Sequence, residues 1–157
     1  MRISIRALAL LAAAGLGATS PAAAASYHLI GWRQVGVMAL DGDSVRPFEG
    51  HVAAWLAFAL YENNGPTAFM LFRDEIDCGR DRVLHLSVGS YDERGVPVSG
   101  EDAPGAPSWS DIAPGTPQAD EERLACDPKA LAADEVILDG TALELLYAAR
   151  HAPIDRR

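Results

Sequence analysis

The sequence predicts an α+β domain: one antiparallel sheet of about five or six strands with C-terminal helices packed on it. Three observations predict it. Apolar residues recur at strand spacing from Tyr27 to Ser99, between Asp-Gly, Glu-Gly and Asn-Gly turns. Helical signals begin only after a Pro- and Gly-rich stretch, Gly100–Pro117. The two cysteines stand one in the sheet region, Cys78, and one in the helical region, Cys126.

The central element is a hairpin. Ala68–Asp77 and Arg82–Tyr91 read as strands joined by Cys78-Gly79-Arg80-Asp81. In the second strand Leu84, Leu86 and Val88 fall on one face, and Val83, His85, Ser87 and Tyr91 on the other. In the first, Met70, Phe72, Ile76 and Cys78 share a face. Phe69, Leu71, Arg73, Glu75 and Asp77 share the opposite one. This is the pattern of a sheet with one packed face and one partly wet face. Gly79 is free to take the positive φ of a tight turn.

The remaining elements follow in order. Tyr27–Leu40 reads as the first strand region, with a bulge at Gly31 or Gly36. Asp41-Gly42-Asp43 reads as a turn, Ser44–Phe48 as a short strand and Glu49-Gly50 as the next turn. His51–Glu62 is apolar on both sides and reads as a central strand, although its Ala and Leu content also suits a helix. Asn63-Asn64-Gly65-Pro66 and Asp92-Glu93-Arg94-Gly95 are turns, and Val96–Ser99 is a last short strand. Trp109 and Ile112 interrupt the loop and are expected to dock it. Thr116 and Pro117 begin a helix with Asp120, Glu121 and Glu122 near its positive end. That helix delivers Leu124 and Cys126. Asp127-Pro128 restarts a helical turn. Thr141-Ala142-Leu143-Glu144 is a capping box for a terminal helix reaching Arg150, with Leu143, Leu146 and Tyr147 as its apolar stripe.

The chain has 157 residues and a net charge of −9. Lys129 is its one lysine. Such a surface excludes nucleic-acid binding, which needs clustered Lys and Arg. Arg2 and Arg6, the apolar run Ala7–Leu16 and Ala23-Ala24-Ala25 read as a secretory signal cleaved near Ala25. The apolar run is too short to span a bilayer, and with no cysteine beside the cleavage site no lipid anchor is expected. Two cysteines in an exported chain imply one disulfide, the other reading being two free thiols. Closing that loop is worth about 4 kcal/mol in the chain-entropy model.

Chemical constellations are sparse. Asp41-Gly42-Asp43-Ser44 suggests a calcium loop, but Arg46 and Val52 stand where an EF-type loop needs Gly and Glu. His85 and Ser87 lie two apart on one predicted face, without an evident orienting acid or oxyanion hole. His28, His51, His85 and His151 show no ligand spacing. Trp32, Trp55 and Trp109 serve either as core or as an apolar pocket. Phe69, Leu71 and Tyr91 form a candidate binding surface if their face is open. If the terminal helix covers it, they are core.

Placed in order, these pieces carry a resemblance. Trp32 and Val35 precede Leu40-Asp41-Gly42-Asp43-Ser44-Val45; Trp55 and Ile76-Asp77-Cys78 follow. Ser90-Tyr91-Asp92, Gly95, Trp109-Ser110-Asp111-Ile112-Ala113-Pro114-Gly115-Thr116 and Cys126 complete the series. The order resembles the surface-adhesin protein E family of exported Gram-negative proteins, over roughly Trp32–Asp127. The resemblance implies an antiparallel sheet with a C-terminal helix tethered by Cys78–Cys126. The family's founding members are surface-attached adhesins that bind host extracellular-matrix proteins. The expected division is a signal peptide at 1–25, an adhesin-like domain at 26–127 and a helical extension at 128–157.

The expected function is therefore non-enzymatic: a periplasmic or secreted protein that binds another macromolecule, such as an extracellular-matrix or envelope protein. No catalytic residue, cofactor or metal is expected. A second reading is a periplasmic binder of an apolar small molecule, which a concave Trp-lined pocket would favour. A third is a hydrolase using Ser87 and His85, which a carboxylate within reach of His85 would favour.

Overall fold

The computed structural model describes residues 24–99 and 107–151. The expected signal segment lies outside the described residues except for Ala24 and Ala25, as do residues 100–106 of the loop and 152–157 of the tail. Among the described residues eight strands form one sheet. They are β1 (Ala25–Arg33), β2 (Gly36–Phe48), β3 (His51–Asn64), β4 (Thr67–Asp77), β5 (Arg82–Tyr91), β6 (Pro97–Ser99), β7 (Ser110–Asp111) and β8 (Val136–Gly140). Every pairing is antiparallel. The spatial order is β6-β5-β4-β3-β2-β1-β8, with β7 beside β5. The helices are α1 (Pro117–Cys126), α2 (Pro128–Ala133) and α3 (Ala142–His151). No helix among the described residues is long and apolar enough to cross a membrane.

The expected α+β sheet is present, with more strands than predicted. The central hairpin pairs from Phe69↔Tyr91 to Asp77↔Arg82. Cys78 in its turn is bonded to Cys126 at the end of α1, with Cα atoms 5.8 Å apart. The left-handed residue of that turn is Asp81 (φ 50°), not Gly79. The Glu49-Gly50 turn has positive φ at both residues, 47° and 87°, the backbone that joins two twisted strands most directly.

Three expectations need correction. The first strand region, Tyr27–Leu40, is a hairpin that reverses at Gln34-Val35. Neither residue is a turn signal; the reversal is held by Tyr61, whose backbone N–H donates to Val35 O at 2.9 Å. Asp41-Gly42-Asp43 is not a turn but part of β2, where the register with β3 slips between Asp41 and Arg46. Side chains satisfy the slipped backbone. Ser44 N donates to Asp41 Oδ1 (3.1 Å), and Ser44 Oγ donates to Asp41 O (2.7 Å) while accepting from Trp55 N (2.8 Å). Burial there pushes the Asp41 carboxyl up to about 6. Finally, β8 was not foreseen. Its Val-Ile-Leu run has no alternation, and it becomes a strand because the outer edge of β1 is open to it.

The sheet is covered on both faces. On one, Ala142, Leu145, Leu146 and Ala149 of α3 pack over a cluster that includes Val37, Ala39, Ala57, Ala59, Phe69, Leu71 and Tyr91. On the other, Leu124 of α1 meets Ile30, Leu40, Ala54 and Leu56, and Ala125 meets Ile76 and Val83. Each fully buried leucine contributes about 1.5–3 kcal/mol. Gly31 lets α1 approach, since a Cβ there would stand 3.0 Å from Pro117 Cγ. The Thr141–Glu144 capping box forms as expected, with Thr141 N donating to Glu144 Oε2 at 2.7 Å and Glu144 N to Thr141 Oγ1 at 3.2 Å. The expected stripe is rotated: Leu145 is buried and Tyr147 is 66% exposed. Thr116 stands at the N-cap of α1 as expected, but its side chain does not cap the helix; its hydroxyl donates back to Ala113 O at 2.7 Å.

Candidate functional site

The predicted contact patch is core. Phe69, Leu71 and Tyr91 are 0%, 5% and 4% exposed beneath α3, and the Phe69 and Tyr91 rings stack at 5.1 Å. The physical reason is that α3 buries its leucines against the most apolar half of the sheet, which is where these three residues lie. Cys78 and Cys126 form the tether between the hairpin and α1.

His85 and Ser87 do not share a face. The β4–β5 register slips between them, so Ser87 pairs with Arg73 while His85 pairs with Asp74. Arg73 and Asp74 are consecutive in β4 and point to opposite sides. The bulge thus sends His85 to the α1 face and Ser87 to the α3 face. A carboxylate does lie within reach of His85: its Nδ1 is 2.9 Å from Asp74 Oδ1. The acid–histidine pair exists, but the serine is on the far side of the sheet.

The α3 face continues beyond α3, toward the two hairpin turns. There its alternate positions change from apolar to charged and aromatic: Phe48, His51, Trp55, Arg73, Glu75, Asp77 and Arg82. The segment before β7 lays Trp109 against them. It is held by Ile112 N, which donates to Asp81 O at 2.8 Å, and by the pairing of Ser110 and Asp111 with β5. The Trp109 ring meets His51 edge-on at 4.7 Å, and the Arg82 guanidinium lies 5.3 Å over it. Arg80 and Arg82 both donate to Asp77 Oδ2, at 3.2 and 3.1 Å, and the Arg82 bond holds that carboxyl below its ordinary range. His51 stands 3.9 Å from both Glu75 and Asp77.

Arg73 differs from these cations. It sits across from Trp55, with its guanidinium 5.8 Å over the Phe48 ring. Its Nε is buried without a hydrogen-bond partner, and among the described residues it has no acid partner. Sequence reasoning placed Arg73, Glu75 and Asp77 on the face of Phe69 and Leu71 but did not single them out. The usable signal was the switch from apolar to charged at every second position of one strand.

Trp55 and Trp109 line this face, while the Trp32 side chain lies outside the described residues. A separate groove of about 310 Å³ runs along α3, lined by Glu93, Leu143, Leu146, Tyr147, Arg150 and His151 and by none of the tryptophans.

No family model matches the chain, and no curated protein matches it significantly. Among solved structures, it is similar to protein E from non-typeable Haemophilus influenzae at 17% identity, over 76% of this chain and 88% of that one, with a TM-score of 0.49. Two further structures of Haemophilus influenzae protein E are similar at 13% and 12% identity. They cover 68% and 62% of this chain and 93% and 91% of those, with TM-scores of 0.45 and 0.42.

Proposed function

We propose that the chain is an exported, non-enzymatic, adhesin-like protein that holds a partner protein against the Arg73–Trp109 face of its sheet. The observation that carries this reading is the state of Arg73. Arg80, Arg82 and His51 all lie against Asp77 or Glu75, whereas the half-buried Arg73 has no acid of its own among the described residues. A partly desolvated cation without an acceptor is costly, and a partner carboxylate would remove the cost through a two-pronged guanidinium pair. Trp55, Trp109 and Phe48 supply the apolar surround. Trp and Arg are the residue types that carry most of the energy of protein interfaces. The expected occupant is therefore an acidic segment with apolar neighbours. The disulfide supports export, because the cytosol keeps thiols reduced.

The test places a photocrosslinking residue at Ser110 or at Tyr147 in the native envelope. The partner should be captured from Ser110 and not from Tyr147. With the captured protein purified, Arg73→Gln should weaken binding at least about tenfold, a loss of about 1.4 kcal/mol, without lowering the melting temperature. Equal capture from both positions, or unchanged affinity in both Arg73→Gln and Trp109→Ala, overturns the reading. N-terminal sequencing of the envelope form should begin near Ser26; intact Met1 in the cytosol would remove the export part.

A further inference from the structure

On the opposite face, a buried carboxyl pair joins α1 to the sheet. Glu121 projects from α1 and Asp74 from β4, and each is 2% exposed. The two are close enough for the Asp74 charge to act on the Glu121 carboxyl. Glu121 Oε1 is enclosed and receives no hydrogen bond from any described residue. His85 of β5 holds Asp74 Oδ1 at 2.9 Å, and 49% of its side chain is exposed. The pair is therefore one imidazole away from water.

We infer that Glu121, seated against Asp74, is a proton-operated latch: while Glu121 keeps its proton α1 stays seated, and when the proton is lost α1 lifts from the sheet on its Cys78–Cys126 tether. Two adjacent carboxylates cannot both ionise in a dry site without strong repulsion. Burial first, and the Asp74 charge second, hold the Glu121 carboxyl well above the ordinary value of 4.5. The Asp74 hydrogen bond holds His85 above its ordinary 6.5.

The surrounding groups do not offset this. Glu122 of α1 is itself raised by burial and by Asp81 in the hairpin turn, and so adds charge of the same sign. Arg123 reaches Asp120 and Asp134. From β1, His28 faces Asp134 at 3.4 Å. β2 and β3 present Leu40, Ala54 and Leu56 to α1, and Lys129 of α2 is exposed.

The sign follows from linkage. A carboxyl raised in the folded state favours folding while it keeps its proton, and loses that contribution as pH climbs from 4.5 toward its raised value. A histidine raised in the folded state contributes below 6.5 and loses the contribution as pH rises through its own raised value. Both act in one direction, so α1 loosens with rising pH. Lifting it would uncover Ile30, Leu40 and Leu56.

Hydrogen–deuterium exchange on the disulfide-intact chain tests this between pH 4.5 and 8, corrected for intrinsic exchange. Amides of α1 should lose protection as pH rises, by roughly tenfold for each pKa unit between the seated and lifted states, while α3 stays protected. In Glu121→Gln the loss of α1 protection with rising pH should be clearly shallower, the remainder following His85 and Glu122. If that variant fails to fold, Asp74→Asn should make the slope shallower, since it removes the charge facing Glu121 and the partner of His85 while Glu121 stays buried. Flat protection of α1 in the unaltered chain, or an unchanged slope in the variants, overturns the latch. Neither result depends on the partner-binding reading.

Discussion

α1 and α3 cover opposite faces of one sheet, and each carries a glutamate whose proton affinity is shifted the opposite way. Glu144, in the capping box of α3, is exposed and accepts from Thr141 N and Thr141 Oγ1, which hold its carboxyl below the ordinary glutamate value. Glu121 of α1 is buried against Asp74 and stands well above it. Residue type and secondary structure are the same, so the surroundings decide the sign. A lowered carboxyl contributes above its ordinary value and loses the contribution as pH falls. The α3 cap therefore weakens in acid and the α1 seat weakens toward alkaline pH. The two helices also hold on by different means. α3 relies on Leu145 and Leu146 in an apolar layer, while α1 combines Leu124 with acids and a covalent tether.

The largest expected effect tests the apolar side of this contrast. Phe69→Ala removes a wholly buried ring beneath α3 and should cost about 3–5 kcal/mol in denaturant unfolding. A cost below about 1 kcal/mol would mean that α3 does not close the face. Next is Cys126→Ser, expected to cost about 2–5 kcal/mol, with the added protease sensitivity confined to α1. If α3 became sensitive first, the independence of the two faces would fail. Thr141→Ala, which breaks the capping box, should cost about 1 kcal/mol, or a few degrees of melting temperature. That cost should shrink in acid, where Glu144 is protonated. Tyr147→Ala is the smallest: an exposed side chain whose loss should stay within about 0.5 kcal/mol. A loss of several degrees would restore it to the apolar stripe predicted from spacing.

These contrasts show what was legible in the chain. Antiparallel architecture, the central hairpin and the capping box were readable because each is written in local periodicity or spacing. The rotation of α3 was not, since Leu143, Leu145 and Leu146 offer two adjacent apolar stripes and only the sheet selects between them. The separation of His85 from Ser87 depends on a register slip with β4, which no single strand encodes. The Arg73 face was half legible: the alternation was visible, while the absence of an acid beside Arg73 among the described residues is a property of three strands together. The Asp74–Glu121 pair joins residues distant in sequence and left no local trace.

The pairing of β1 with β8 bears on when this sheet can be finished. Tyr27 lies beside Leu138, and Ala25 beside Gly140, so β1 takes its outer neighbour from a segment more than 100 residues later. Pairings between segments so distant in sequence form slowly, because a long loop must close before the contact returns any energy. A chain emerging start-first, from a ribosome or through a membrane, carries β1 with an open edge until β8 is out. Closure of this edge is thus a late folding event, and a protein cut short before Val136 would leave an unpaired strand edge available to other chains.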